Sequence, residues 1–454
     1  MTTEHQSHRT TEHQSRVLLV GIELPEQRDF DSAMEELANL ALACELEVAD
    51  SLTQKAERIH PAHYIGAGKL EELQTMLHAY EGADVVFNDE LSPAQIRNLE
   101  KRLDCRVMDR TMLILEIFAQ RAKTREAQLQ VEVARLQYML PRLVGSRESL
   151  GRQGGGGGTG LKNRGSGETR LELDRRRIEE RIAMLQAELE KLVRRRQVLR
   201  QRRNAGEAPV VCLVGYTNAG KSSLLNAMLE TYHPGSDKQV FAHDMLFATL
   251  ETKARGIVLP GGRSFVLTDT VGFVSRLPHH LVKAFRSTLE EVAEADLLLH
   301  VVDASNPEHP AHMQVTRETL RALGAEQIPT LVVYNKADRT DRPYPLTDGD
   351  AVWLSARELR GIDRLADALA ERVFADYARF VVRIPYDKGH LAAYFNAHAD
   401  VQATAYDEDG TRLTLLCRSA DIARYQDEIT VLEGDLPVPE NGAMTKQAAK
   451  TARS

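Results

Sequence analysis

The stretch Gly215-Tyr216-Thr217-Asn218-Ala219-Gly220-Lys221-Ser222, set directly after the apolar run Val210-Val211-Cys212-Leu213-Val214, has the residue types and spacing to hold a chain of phosphates. Its glycines let successive backbone N–H groups turn inward around a β-phosphate. Lys221 can reach the β- and γ-oxygens, and Ser222 can offer its hydroxyl to Mg²⁺. A helix starting near Lys221 aims its positive end at the same charge, and Ser223 opens the amphipathic segment that such a helix needs.

Four later segments name the nucleotide. The strand-like run Ser264 to Thr268 delivers Asp269-Thr270-Val271-Gly272, where Asp269 can hold Mg²⁺ through water and the Gly272 amide can sense a γ-phosphate. Upstream, Phe247-Ala248-Thr249-Leu250 offers Thr249 as the switch threonine that completes the Mg²⁺ shell when a triphosphate is bound, with Thr252 a neighbouring alternative. After the apolar run Thr330 to Tyr334 stands Asn335-Lys336-Ala337-Asp338. The Asp338 carboxylate can accept from guanine N1–H and the 2-amino group together, Lys336 can lie along the base, and Asn335 can tie the loops. Val352-Trp353-Leu354-Ser355-Ala356 then brings a backbone N–H of Ser355 or Ala356 toward guanine O6. Adenine presents neither donor to Asp338. In this order, each at the end of an apolar strand, these segments predict a GTP-hydrolysing P-loop domain over residues 209–377, with Lys221, Thr249 and Gly272 around the transferring phosphoryl. Phe273 follows Gly272 where Ras-like proteins carry the glutamine that orients the attacking water. Phenylalanine cannot hydrogen-bond that water, so hydrolysis by the chain alone is expected to be slow and completed by a partner.

The elements around this domain make up the rest of the 454 residues, a length that suggests about three domains. Residues 1–15 repeat a polar Thr-Thr-Glu-His-Gln-Ser unit without an apolar run, which predicts a disordered tail, not a signal peptide. From 16 to 110, strand-like runs at Val17 to Leu24, Ala83 to Phe87 and Arg106 to Met108 alternate with helical patterns at Phe30 to Ala43 and Ser92 to Leu103, predicting a small, mostly parallel α/β domain. Within it, Ile65-Gly66-Ala67-Gly68-Lys69 looks like a fragment of a phosphate loop, but it lacks the full spacing and a preceding long strand, which favours a structural turn over a second nucleotide site.

Residues 111–204 change character. One helical pattern runs from Thr111 to Leu140, stopped by Pro141. A second runs from about Glu168 to Arg203 with a heptad-like leucine and isoleucine seam. They predict an antiparallel hairpin with arms on the order of 45 Å, joined by a glycine-rich tip over 149–167. Arg142, Arg147, Arg152, Lys162, Arg164 and Arg170 surround that tip in a chain whose net charge is −8. The bland reading is a solvated coiled-coil face with i,i+4 ion pairs. The functional one is arginine forks on RNA phosphates, favouring backbone and shape recognition because stacking aromatics are scarce here. Beyond the P-loop domain, residues 378–436 read as a small α+β domain with a hairpin across Asp407-Glu408-Asp409-Gly410, and 437–454 as a loose tail. No run approaches a bilayer span, and the four scattered cysteines fit reduced thiols, so a cytoplasmic protein is expected.

The chain resembles HflX-type ribosome-associated GTPases over about Val17 to Arg424. The specific part of the resemblance is N-terminal: His63 to Leu70, Phe87 to Gln95, Asp109-Arg110-Thr111 and Leu136 to Leu143. Gly165-Ser166-Gly167-Glu168-Thr169-Arg170-Leu171-Glu172 resembles the family's G-P-G-E-T-Q-L-E, with Ser166 in place of proline and Arg170 in place of glutamine. The resemblance implies a GTPase whose hairpin tip enters the large ribosomal subunit and which separates stalled ribosomes under stress; some members use ATP through the N-terminal domain. Beside this reading three alternatives stay open: a ribosome-assembly GTPase acting on precursor particles, an ATP-driven RNA remodeller and an RNA-binding clamp with vestigial turnover.

Overall fold

A computed structural model describes residues 15–25, 29–145, 164–204, 208–233, 247, 252–260, 263–276 and 291–434. The expected tails, the tip with Arg147, Arg152 and Lys162, and Thr249 lie outside the described residues.

The N-terminal unit is built from β1 (Arg16–Glu23), α1 (Phe30–Ala43), β2 (Glu47–Lys55), α2 (Ala67–Ala79), β3 (Asp84–Phe87), α3 (Pro93–Leu103) and β4 (Val107–Asp109). Its sheet is ordered β2-β1-β3-β4 and is parallel throughout. A continuous apolar run such as Val17 to Val20 suits a strand covered on both faces, and these side chains are buried. The start of α3 is set by a capping box: Gln95 N–H donates to Ser92 Oγ, Ser92 N–H donates to Gln95 Oε1, and Pro93 occupies the first turn. The sequence reading missed β2, whose side chains are largely polar and exposed, so no apolar alternation marks it.

The hairpin differs from expectation in two ways. Thr111 to Leu140 is not one helix but two, α4 (Arg110–Arg121) and α5 (Arg125–Gly145), parted at Thr124, whose Oγ1 accepts from Ala127 N–H and caps α5. Pro141 does not end α5 but lies inside it. The second arm, α6 (Arg164–Asn204), has 41 residues against 21 in α5, so the arms are about 62 and 32 Å long rather than equal. They pack antiparallel through Leu129, Val133, Ile182 and Leu185, with Arg125 paired to Glu188.

The P-loop domain has a seven-stranded sheet ordered β10-β11-β9-β8-β5-β7-β6. In chain order its elements are β5 (Val210–Val214), α7 (Lys221–Tyr232), β6 (Lys253–Val258), β7 (Ser264–Asp269), β8 (Leu297–Asp303), α8 (His309–Ala322), β9 (Thr330–Asn335), β10 (Leu346–Asp348), β11 (Ala351–Trp353) and α9 (Ile362–Val373). The edge strands β6 and β10 run antiparallel to their neighbours. The motif loops therefore leave the carboxyl ends of β5, β7, β9 and β11 on one side of the sheet, where open α/β sheets bind their ligands.

The chain ends in an antiparallel sheet ordered β13-β14-β12-β15. It comprises β12 (Tyr377–Ile384), α10 (Gly389–His398), β13 (Asp400–Asp407), β14 (Gly410–Arg418), α11 (Ser419–Arg424) and β15 (Thr430–Glu433), closed around Phe380, Phe395, Leu413 and Leu415.

The first three units are not beads on a string. One buried cluster contains Leu40 of α1, Leu113, Ile117 and Phe118 of α4, Val131 of α5, and Cys212, Phe247, Phe273 and Leu298 of the P-loop domain. The Phe118 and Phe247 rings meet edge to face, with centroids 4.7 Å apart.

Candidate nucleotide site

β5 ends at Val214 and the backbone turns sharply, because Gly215 has φ +144° and Gly220 φ +93°. Both positions also lack room for a side chain. A Cβ on Gly215 would lie 2.2 Å from the Val301 carbonyl oxygen, and one on Gly220 would lie 2.2 Å from Asn335 Nδ2. Between them Thr217 and Ala219 are buried while Asn218, at φ +59°, is exposed.

Lys221 opens α7 and is buried. Its Nζ donates to the carbonyls of Gly215 at 3.1 Å and Tyr216 at 2.9 Å, so the loop closes around its own lysine. Burial pushes the Lys221 ammonium down to about 8, against the opposing pull of Asp269. Ser222 Oγ donates to Asp269 Oδ2 at 2.6 Å, which joins the loop to the end of β7. Ser223 follows in the first turn of α7 and is half-buried. The hydroxyl and the carboxylate together present hard oxygen donors of the kind Mg²⁺ takes, so these residues fit the ion.

After Asp269 the chain lies directly on the loop. Thr217 N–H donates to the Phe273 carbonyl at 2.7 Å, and Phe273 N–H donates to that of Gly215 at 3.1 Å. A Cβ on Gly272 would meet Thr217 Cα at 2.8 Å and Lys221 Nζ at 3.0 Å, so only glycine fits there. The Phe273 ring is buried in the cluster shared with α4.

The segments expected to read the base converge as well. Asn335 Nδ2 donates to the Ala219 carbonyl and its Oδ1 accepts from Ala356 N–H, both at 3.0 Å, tying β9 to the loop and to the turn after β11. Asn335→Ala would strand two buried partners, and we expect a loss of about 2 kcal/mol in unfolding free energy by urea titration. Lys336, at φ +60°, pairs with Asp303 Oδ2 at 2.7 Å. Burial opposes ionisation of Asp303, but hydrogen bonds from Lys336 and Ser305 overcome it and hold the carboxyl below its ordinary range. Asp338 sits half-buried in a short 3₁₀ turn, Ala337–Arg339. Ser355 N–H is bonded to the Arg360 carbonyl and Ala356 N–H to Asn335, so neither amide of this turn stands idle.

The N-terminal unit adds residues that sequence reasoning did not assign to the site. The Tyr216 hydroxyl donates to Glu36 of α1 and accepts from Ser275 N–H at 2.8 Å. Burial, then the Glu36 charge, holds that phenol well above its ordinary pKa, so it remains a donor. The Tyr216 ring stacks on His312 of α8 at 3.8 Å. Arg110 is buried and gives hydrogen bonds to Glu36, to Asn88 Oδ1 and to the Ser275 carbonyl. A cleft of about 140 Å³ runs between α1 and this face of the loop, lined by Glu36, Tyr216, Thr217, His300, Asp303 and His312 among others.

One sequence expectation changes and one alternative is favoured. Arg142, counted with the basic tip, is nearly buried and pairs with Asp109 at 2.8 Å. It is therefore committed to the fold. The Ile65-to-Lys69 stretch forms the start of α2, with Gly66 N–H taken by Gln54 Oε1 and Lys69 paired to Glu72 at 2.8 Å, an arrangement that fits the structural-turn reading. Farther along α6, the exposed pairs Arg175 with Glu179 and Arg194 with Glu190 have the i,i+4 form of a solvated face. Arg164 and Arg170 lie in the first turns of the same helix. Among the described residues no helix is long and apolar enough to cross a membrane.

Comparison with known proteins gives three family models in chain order: the N-terminal region of GTP-binding GTPases at residues 31–119, their middle region at 121–203, and 50S ribosome-binding GTPases at 210–336. The GTPase HflX of Lacrimispora saccharolytica is 44% identical over 403 residues, covering 88% of this chain and 92% of its own. The GTPase HflX of Escherichia coli is 40% identical over 402 residues, covering 87% and 92%. A GDP complex of a GTP-binding protein from Sulfolobus solfataricus aligns with TM-score 0.42 and 24% identity, covering 80% of this chain and 99% of that one. A phosphate loop, a glycine seated on its lysine and an asparagine that ties the loop to the last strand turns stand here on one chain with relatives aligned along almost its full length, and that chain belongs to the HflX family of GTPases.

Proposed function

We propose that this GTPase is a switch that binds the large ribosomal subunit through its hairpin and couples the nucleotide state to ribosome splitting or rescue, under stress. The observation that carries the proposal is the shared core: α4 and α5 pack into the same buried cluster as Phe247 and Phe273 of the P-loop domain, so a load on the hairpin reaches the segment after Asp269. The match to 50S ribosome-binding GTPases supports the partner.

In this reading the backbone N–H groups from Asn218 to Ser222 cradle the β-phosphate, and Lys221 leaves the carbonyls of Gly215 and Tyr216 for the β- and γ-oxygens. The Gly272 amide follows the γ-phosphate once the 271–276 segment lifts from the loop. Ser222 and Asp269, the latter through water, with Thr249 from outside the described residues, would hold Mg²⁺, which neutralises charge developing on the phosphates when bound. Asp338 selects guanine, Lys336 covers the base, and an O6 contact to Ala356 N–H shares that donor with Asn335. Phe273 offers the attacking water nothing, so the missing group comes from the partner.

The test compares GTP hydrolysis with and without purified large ribosomal subunits, for the whole chain and for one lacking Ser149 to Gly167. Strong stimulation that the deletion abolishes supports the proposal. Absence of stimulation in both proteins removes the ribosome from it and leaves the GTPase.

A further inference from the structure

The Tyr216 side chain turns toward α1 and the segment after Gly272. Its hydroxyl donates a hydrogen bond to Glu36, accepts one from Ser275 N–H, and lies 2.5 Å from Ser275 Oγ. Ser275 is gripped a second time, through its carbonyl, by Arg110 Nη2 at 3.1 Å. The next residue, Arg276, pairs with Asp89 of the N-terminal unit at 2.7 Å. Glu36 closes the ring by accepting from both Tyr216 and Arg110. Four charged or phenolic side chains from two units thus hold two consecutive residues of the segment that follows Gly272.

That segment occupies a costly place for a triphosphate. Gly272 packs against Thr217 Cα and Lys221 Nζ with no room for a methyl group, and two backbone hydrogen bonds seal Phe273 to the loop. In the phosphate assignment above, Lys221 leaves the loop carbonyls for either nucleotide, but only a γ-phosphate met by the Gly272 amide calls for the 271–276 segment to part from Thr217. We propose that Glu36, Arg110 and Tyr216 are positioning residues that hold the 271–276 segment on the phosphate loop and so set the preference for diphosphate over triphosphate.

The ring also has an input. Asp109, the neighbour of Arg110, is buried and accepts from Leu91 N–H at 3.0 Å, Met112 N–H at 2.9 Å, Arg142 Nη2 at 2.8 Å and the Tyr138 hydroxyl. Arg142 lies 3.6 Å over the Tyr138 ring. Adjacent residues at the junction of β4 and α4 therefore grip α5 with one side chain and the 271–276 segment with the other. A hairpin held in a new position shifts Asp109, and Arg110 moves with it.

The inference rests on the assignment of phosphates to residues 215–222, and the experiment separates the two. Full-length Tyr216→Phe, which removes one oxygen, and Arg110→Lys are titrated with fluorescent GDP and a non-hydrolysable GTP analogue, beside Lys221→Ala. We expect the affinity ratio to move toward the triphosphate by roughly fivefold in each, the worth of one hydrogen bond. The double variant should gain little over Arg110→Lys, because both act on Ser275. Amide exchange at Thr217 and Phe273 should quicken in the same variants. A ratio unchanged in Tyr216→Phe, or equal weakening of both nucleotides, overturns the positioning role when Lys221→Ala has lost nucleotide affinity. Undiminished affinity in Lys221→Ala would instead overturn the phosphate assignment itself.

Discussion

Lys221→Ala should slow GTP hydrolysis by about 10² to 10³-fold in single-turnover assays at saturating nucleotide, the scale of losing one preorganised charged donor from a transition state. The side chain is buried, opens α7 and donates to two carbonyls of the loop. A rate close to that of the unaltered chain would remove Lys221 from the chemistry. The same residue predicts a pH dependence. Its ammonium is lowered from 10.5 to about 8 by burial, so in the folded chain it is lost as pH rises through 8, while the unfolded chain keeps it to 10.5. The cost of burying that charge is constant below pH 8 and relieved between 8 and 10.5, so this group makes stability rise with pH across that window. Phosphate binding has the opposite slope, because it needs the ammonium. Above pH 8, GTP binding should take up a proton and weaken by up to about tenfold per pH unit, measurable by calorimetry in buffers of different ionisation enthalpy.

Asp338→Asn should reduce discrimination between GTP and ATP by roughly 10⁴-fold, since a site built to accept two donors rejects a base that lacks them by that order. The carboxylate is half-buried on a tight 3₁₀ turn, held by Ala337 packing and by the Thr340 N–H bond to the Ala337 carbonyl, so its direction is fixed by backbone. Competition titrations of GTP against ATP check the prediction. The loss should fall on guanine, with adenine affinity barely changed. Equal loss for both bases would mean that Asp338 supports the turn and does not read the base.

The site was legible in the sequence where the chemistry leaves few substitutes. Gly215, Gly220 and Gly272 stand where a Cβ collides, Asn335 must offer both a donor and an acceptor, and Lys221 must arrive at a helix start, so local spacing was enough to find them. The α3 cap was legible for the same reason, since Ser92, Pro93 and Gln95 act on one another within a single turn. Thr124, which parts α4 from α5, carried a similar signal, but the apolar seam running past it suggested one helix. Glu36 and Arg110 were not legible. They lie 74 residues apart and meet Tyr216 and Ser275 only because the two sheets share a core, and no period or spacing records such a meeting. The strand β15 was missed because its exposed four-residue run shows no alternation.

The unequal arms of the hairpin have a mechanical consequence. Arg125 and Glu188 meet at the foot of α5, and from that contact α6 extends about 36 Å to Arg164 on one side and about 24 Å to Asn204 on the other. The apolar seam from Ile178 to Leu192 fixes the middle of α6 against α5, so both of its ends overhang the packed stretch. Only five residues separate Asn204 from the first residue of β5, which leads straight into the phosphate loop. An end of α6 that overhangs its packed middle is thus joined, by a short stretch of sequence, to the strand that carries the phosphate loop.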